Sequence, residues 1–473
     1  MVKIQFSDIR TLTVIVVLLT ALDFFITTIL VSPTDFSDFS IFILSILLLI
    51  TLIILILAYK IWKIILTEEY KVKTRHKKSL LIVAILTMVA GIMGFLVYTF
   101  EIILSSSLLG TIYLEFDLTP PQDGIGIAYL LMILTYIFKY CHNLFAITGC
   151  ILTGVIWTRQ FRVWARFSEA PFVKSFYFVG MTTIVLFLDQ IATTTLQYYL
   201  NLVYPEATKL SDYPMEFQII IMVLLLIAQL GLPVYIYFLA VARENIQIPN
   251  EAIKPKSKRG IMLPLVFFFL YFLVNMANFG GDSGTASKSM ELIGNGFLVI
   301  VFIPISIGFF GHMKRVESAF LKKNLFLAAI GTLALATFNV VGPSRWTGMT
   351  VLVGYLIAFS ILTWSLANIS QFLGSREALL GRLRKAGAQF LSDMGEAEMK
   401  DQSIQKMAQV MTDVTKSYME DLTKIEVRTP PTAEEILDYV ATTMGIKTTT
   451  SEAEVLAYLN DAITFMQQSN TEG

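Results

Sequence analysis

The sequence predicts an all-α, polytopic integral membrane protein with about ten transmembrane helices and a small helical C-terminal region on the cytoplasmic side. Three observations carry that prediction. Apolar residues make up 55% of the chain and charged residues 15%, with a mean hydropathy of +0.67, whereas a soluble domain averages about 45–50% and about 25%. The apolar excess lies before residue 370 in ten runs, long enough as a set to match the roughly 20 residues that cross a bilayer. Lysine and arginine fall in alternate connections between those runs, which sets the orientation.

The first run, 11–31, follows Lys3 and Arg10 as a secretory signal would. It is longer than a signal's apolar core and no A-x-A-like site follows, so an uncleaved first span is expected. Runs 40–62 and 80–104 come next, joined by the basic stretch 60–78 with its seven Lys and Arg. Gly91 and Gly94 in the third run allow a close helix contact. Runs 127–157 and 174–204 flank a connection carrying Arg159, Arg162, Arg166 and Lys174. Runs 216–241, 261–279 and 291–311 contain Pro233, Pro264 and Pro304, read as ordinary kinks that neighbouring helices tolerate. Runs 324–342 and 348–369 complete the set.

The connections 243–259 and 312–323 carry five and four cations. The opposite connections, around 33–39, 105–126, 205–215, 280–290 and 343–347, carry only Lys209, Lys288 and Arg345. Every basic connection falls on one side, so both termini are expected in the cytoplasm. The longest external connection, Ser105–Gly126, holds Glu115, Asp117, Pro120, Pro121 and Asp123 and reads as a solvated turn. The two five-run halves show no convincing repeat, and Pro233 and Pro304 have no counterparts in the first half. A duplicated transporter architecture gains little from this.

After Ile369 the composition changes. Residues 1–370 hold 26 Lys+Arg and 20 Asp+Glu, a net of +6; residues 371–473 hold 10 and 16, a net of −6. The acidic tail repels phosphate backbones, so nucleic acid is not an expected partner. We divide the chain into a bundle at 1–370, cytoplasmic amphipathic helices at 371–428 and a helical hairpin at 429–473. Within these, 375–395 and 397–425 read as helices and Thr429-Pro430-Pro431 breaks the pattern. Thr432 with Glu435 and Ser451 with Glu454 form capping boxes that open two short helices. Two short helices cannot build a core alone. They are expected to pack on the preceding helices, the membrane domain or another chain, either a cytoplasmic protein partner or a second copy.

No catalytic motif emerges, so an enzyme is not expected. Gly281–Ser289 (GDSGTASKS) imitates a phosphate-binding loop, but Ser287 stands where glycine should precede the lysine. The three histidines, His76, His142 and His312, include one within an apolar run, so neither haem nor a metal is expected. Cys141 and Cys150 lie nine residues apart on one predicted helix, about 13 Å, too far for a disulfide.

The functional candidates are polar groups within apolar runs: Asp23, Lys139, His142, Asp189, Thr193 and Gln197, with Glu101 near the outer end of the third. Ionisable groups in hydrocarbon are costly unless they face the bundle interior, water or a partner. If runs four and five form a hairpin, Lys139, His142 and Asp189 share a depth, and an Asp189–Lys139 pair is expected. Ala146, Cys150 and Gly154 continue a stripe from His142 on one side; Thr182, Asp189, Thr193 and Gln197 form a polar stripe on the other. Three uses of these charges are open: a structural pair, a proton- or ion-coupling site, and a ligand-sensing pocket. The preferred function is a membrane sensor or signalling component that couples the bundle to its tail. A proton- or ion-coupled secondary transporter and a structural subunit of a membrane complex are the alternatives.

Overall fold

The computed structural model describes residues 8–29, 38–71, 77–106, 126–167, 171–204, 213–246, 258–279, 284–316, 318–339 and 352–373. The predicted tail domains from residue 374 on, residues 107–125 of the predicted connection Ser105–Gly126, and the connection at 343–347 lie outside them. Among the described residues there are ten helices: α1 (Ile9–Ile29), α2 (Asp38–Lys71), α3 (Lys77–Ser106), α4 (Gly126–Phe167), α5 (Pro171–Val203), α6 (Met215–Glu244), α7 (Lys258–Phe279), α8 (Gly284–Arg315), α9 (Ala319–Asn339) and α10 (Leu352–Leu373). One helix lies at each predicted run. Six of them, α2 to α6 and α10, include stretches long and apolar enough to cross a membrane. The chain is therefore a multi-pass helical membrane protein by the length and composition of its helices.

Several helices outrun their apolar stretches. α4 continues to Phe167, taking Arg159, Arg162 and Arg166 into the helix. A helix satisfies its own backbone hydrogen bonds and need not stop where hydrocarbon stops. Phe161 anchors this extension against Phe176, with ring centroids 5.7 Å apart. α8 starts at Gly284, so much of the predicted external connection 280–290, including the imitation phosphate loop from Gly284 on, is helical. Pro233, Pro264 and Pro304 all remain inside their helices.

Hydroxyl groups inside the bundle are satisfied locally. Thr13, Thr20, Thr51, Thr87, Thr153, Thr332 and Ser365 each donate to the carbonyl one turn earlier, at 2.7–2.8 Å. Such back-bonding makes these residues tolerable where water is absent.

Sequence neighbours pack side by side, but α10 is the centre. Of its apolar window 89% is buried, against 12% for α6. Gly149 of α4 meets Leu356, Phe187 of α5 packs edge-on against Tyr355 and Phe359, Gly331 of α9 lies against Leu362, and Gly354 faces Thr20 of α1. Asn368 Nδ2 donates to Asn324 Oδ1 of α9 at 2.8 Å. Trp364, Leu356 and Ile361 are almost fully buried. The last predicted run is thus the pillar of the fold.

Candidate functional site

The predicted polar residues divide into separate groups because of how α4 and α5 register. Thr158 meets Gly180, Gly154 meets Ile184, Phe161 meets Phe176 and Tyr140 meets Tyr198. These antiparallel pairs bring Asp189 level with Gly149 and Lys139 level with Tyr199. Lys139 is ten residues from Gly149 along α4, about 15 Å at 1.5 Å per residue. The expectation of a shared depth is therefore corrected, and so is the Asp189–Lys139 pair. The cause is the extension of α4 to Phe167, which moves the turn of the hairpin and slides the two helices past each other.

Lys139 instead has Glu101 of α3 as its electrostatic partner. Around them is a belt of ring and amide contacts. Tyr136 donates its hydroxyl to the Tyr198 carbonyl at 2.9 Å, and Asn143 Nδ2 donates to the Tyr198 hydroxyl at 3.1 Å. His142 is fully buried, and its Nδ1–H donates to the Ala90 carbonyl of α3 at 2.7 Å. A carbonyl can only accept, so that contact assigns the proton to Nδ1. The Ala146 and Cys150 part of the stripe is buried, and Gly154 abuts Ile184.

Asp189 stands apart. It is buried on α5, and its Oδ1 has no hydrogen-bond partner among the described residues. The α5–α6 contacts, Phe178 with Phe238, Leu186 with Gly231 and Tyr199 with Phe217, bring Ala228 to its level. The next residue, Gln229, also has a buried amide oxygen without a partner among the described residues. Along the predicted stripe Thr193 and Gln197 are only half-buried, while Thr194 is buried. Asp23 is fully buried on α1, one turn beyond Thr20 at Gly354. Among the described residues no three His, Cys, Asp or Glu side chains gather as metal ligands.

A second charged group has no local sequence signal. Arg243, counted among loop cations from the sequence, is 4% exposed at the end of α6. Its Nη1 donates to the Pro304 carbonyl of α8 at 2.7 Å, and its Nη2 pairs with Glu244. The side chain crosses α8 at Gly308, where any Cβ would run into the guanidinium. His312 Nε2 donates to the Arg243 carbonyl at 3.2 Å. These partners are 61 and 69 residues apart in sequence. Only the packing of α6 on α8 joins them.

His312 lies beyond the apolar stretch of α8. Burial, then the neighbouring Arg243 charge, pushes its pKa below the ordinary 6.5. A histidine that resists protonation when folded leaves the unfolded chain binding more protons at low pH. Stability should hold above about pH 6.5 and fall as pH drops below it. The slope is at most about 1.4 kcal/mol per pH unit for one group. Thermal melts from pH 8 to 5 should show this loss, and His312→Gln should flatten it. An unchanged pH profile in the variant would refute the assignment.

Fold and buried charges together define a multi-pass helical membrane protein with ionisable groups inside its bundle. No protein family, curated protein or solved structure matches the chain.

Proposed function

We propose that this protein is a ten-span, non-enzymatic membrane signalling component, with both termini cytoplasmic, in which α10 couples the bundle to the acidic C-terminal region. The observation that carries this reading is the position of α10. It is the most enclosed of the six long apolar helices, and it leads at Leu373 directly into the region that begins at residue 374. A rearrangement of α1, α4, α5 or α9 bears on α10 through Thr20, Leu356, Phe187 or Leu362. The C-terminal region would pass that change to a cytoplasmic protein or to a second copy of the chain.

A second reading, a proton- or ion-coupled transporter, is favoured by Asp189, whose buried Oδ1, without a hydrogen-bond partner among the described residues, suits a proton or cation carrier. One pair of measurements separates the two. Asp189→Asn changes a group two residues from Phe187, which packs on α10. For a signalling component, it should alter the protease susceptibility of residues 374–473 in the full-length protein, and proteoliposomes should show no proton flux. Proton flux that vanishes in Asp189→Asn, with an unchanged tail digestion pattern, would overturn signalling in favour of transport.

A further inference from the structure

At the basic end of the bundle, a cavity of about 790 Å³ opens between the start of α1, the end of α8 and the first turns of α9. That volume lies within the range of about 300–1,000 Å³ typical of small-molecule sites. Its mouth carries Arg10, Lys314 and Lys322, with Asp8 as the acidic residue. Asp8 is committed to Arg10, which it meets at 2.6 Å while also accepting from the Arg10 backbone N–H at 3.1 Å. Lys314 and Lys322 are exposed and have no ion-pair partner among the described residues. The adjacent Lys323 differs: it pairs with Glu68 of α2 at 2.7 Å and lies 5.6 Å from the Trp364 ring. One lysine is built into the bundle, and its neighbour faces the cavity.

Below the charged mouth the walls become apolar. Val14 and Ile15, one turn along α1, and Phe326, one turn along α9, are half-buried there. Cations at the rim with hydrocarbon beneath them match the two parts of a lipid, whereas a soluble anion has no use for the apolar wall. The geometry points to a binding site for one anionic phospholipid, its phosphate among Arg10, Lys314 and Lys322 and an acyl chain along Val14, Ile15 and Phe326. Basic pockets between membrane helices recognise acidic headgroups through this combination of charge and hydrocarbon contact. The lipid would join the start of α1 to the end of α8 and the start of α9.

The test uses full-length protein in a neutral detergent, titrated with phosphatidylglycerol, phosphatidylcholine or inorganic phosphate. Native mass spectrometry follows bound lipid, and calorimetry follows phosphate. One phosphatidylglycerol should bind tightly, and K314Q/K322Q should lose about 30-fold in affinity, at about fivefold per basic side chain. The charge-preserving K314R/K322R should retain wild-type affinity and shows whether these positions tolerate substitution. The pair K60Q/K63Q, at exposed lysines of α2 that do not line the cavity, should also retain it. Undiminished binding in K314Q/K322Q would overturn the site, as would an equal loss in K60Q/K63Q, which would mean diffuse surface charge. Phosphatidylcholine binding as tightly as phosphatidylglycerol would remove the charge recognition. Inorganic phosphate binding as tightly as the lipid would make the cavity a soluble-anion site and overturn the lipid assignment.

Discussion

Lys139→Met should destabilise the solubilised protein by about 3 kcal/mol, and adding Glu101→Gln should restore most of that loss. The physical reason is asymmetry. Removing one member of a buried ion pair typically costs about 3–5 kcal/mol, whereas replacing both can be nearly neutral, and these two half-buried charges belong at the low end of that range. Glu101 and Lys139 attract one another across α3 and α4. Asp189 supplies the control. It lies about 15 Å from Lys139 along the helix axis, beyond the distance at which independent substitutions usually interact. Asp189→Asn combined with Lys139→Met should therefore give the sum of the single effects. The readout is a double-mutant cycle of thermal melts in detergent. Coupling of Lys139 to Asp189 with none to Glu101 would show that the register of α4 and α5 is wrong.

Gly331→Val should cost about 2–3 kcal/mol, because α9 has no room to move away from α10. A Cβ at residue 331 would lie 2.9 Å from Leu362 Cβ, 3.2 Å from Leu362 Cα and 3.3 Å from the Ala358 carbonyl oxygen. Two of those three atoms are backbone, so a rotamer change cannot relieve the crowding. Overpacking of this kind usually costs about 1–3 kcal/mol, and a branched side chain belongs near the top of that range. Gly311 provides the comparison, since a Cβ there meets nothing within 4 Å. Gly311→Ala should leave the melting temperature close to wild type. Equal melting temperatures for wild type and Gly331→Val would mean that the α9–α10 contact is looser than the structure requires.

Much of the architecture was legible in the sequence because its signals are local. An apolar run has to be about as long as hydrocarbon is thick, whatever surrounds it. For that reason each predicted run contains a helix, from α1 at Ile9–Ile29 to α10 at Leu352–Leu373. Of Gly91 and Gly94, both expected to permit a close approach, Gly91 lies against Leu55 of α2. His142 lies buried in the bundle, where an imidazole has to find a partner, although the Ala90 carbonyl on α3 that satisfies it carries no local sequence signal. Helix ends were less legible, because Arg159 to Arg166 interrupt hydropathy without interrupting a helix that satisfies its own hydrogen bonds.

What the sequence determined by itself was the placement of the ten helices among the described residues and the presence of charges inside them. Tertiary structure alone decided which charges meet. The slide of α4 along α5 is set by contacts such as Gly154 with Ile184 and Phe161 with Phe176, and it separates Asp189 from Lys139. The enclosure of α10 rests on glycines in α4 and α9 meeting leucines more than thirty residues away in sequence. The Arg243, Pro304 and His312 network depends on α6 lying against α8 where Gly308 leaves space for a guanidinium. Hydropathy is a property of one segment, but register and enclosure belong to pairs of surfaces, and they arise only when side chains distant in sequence are packed together.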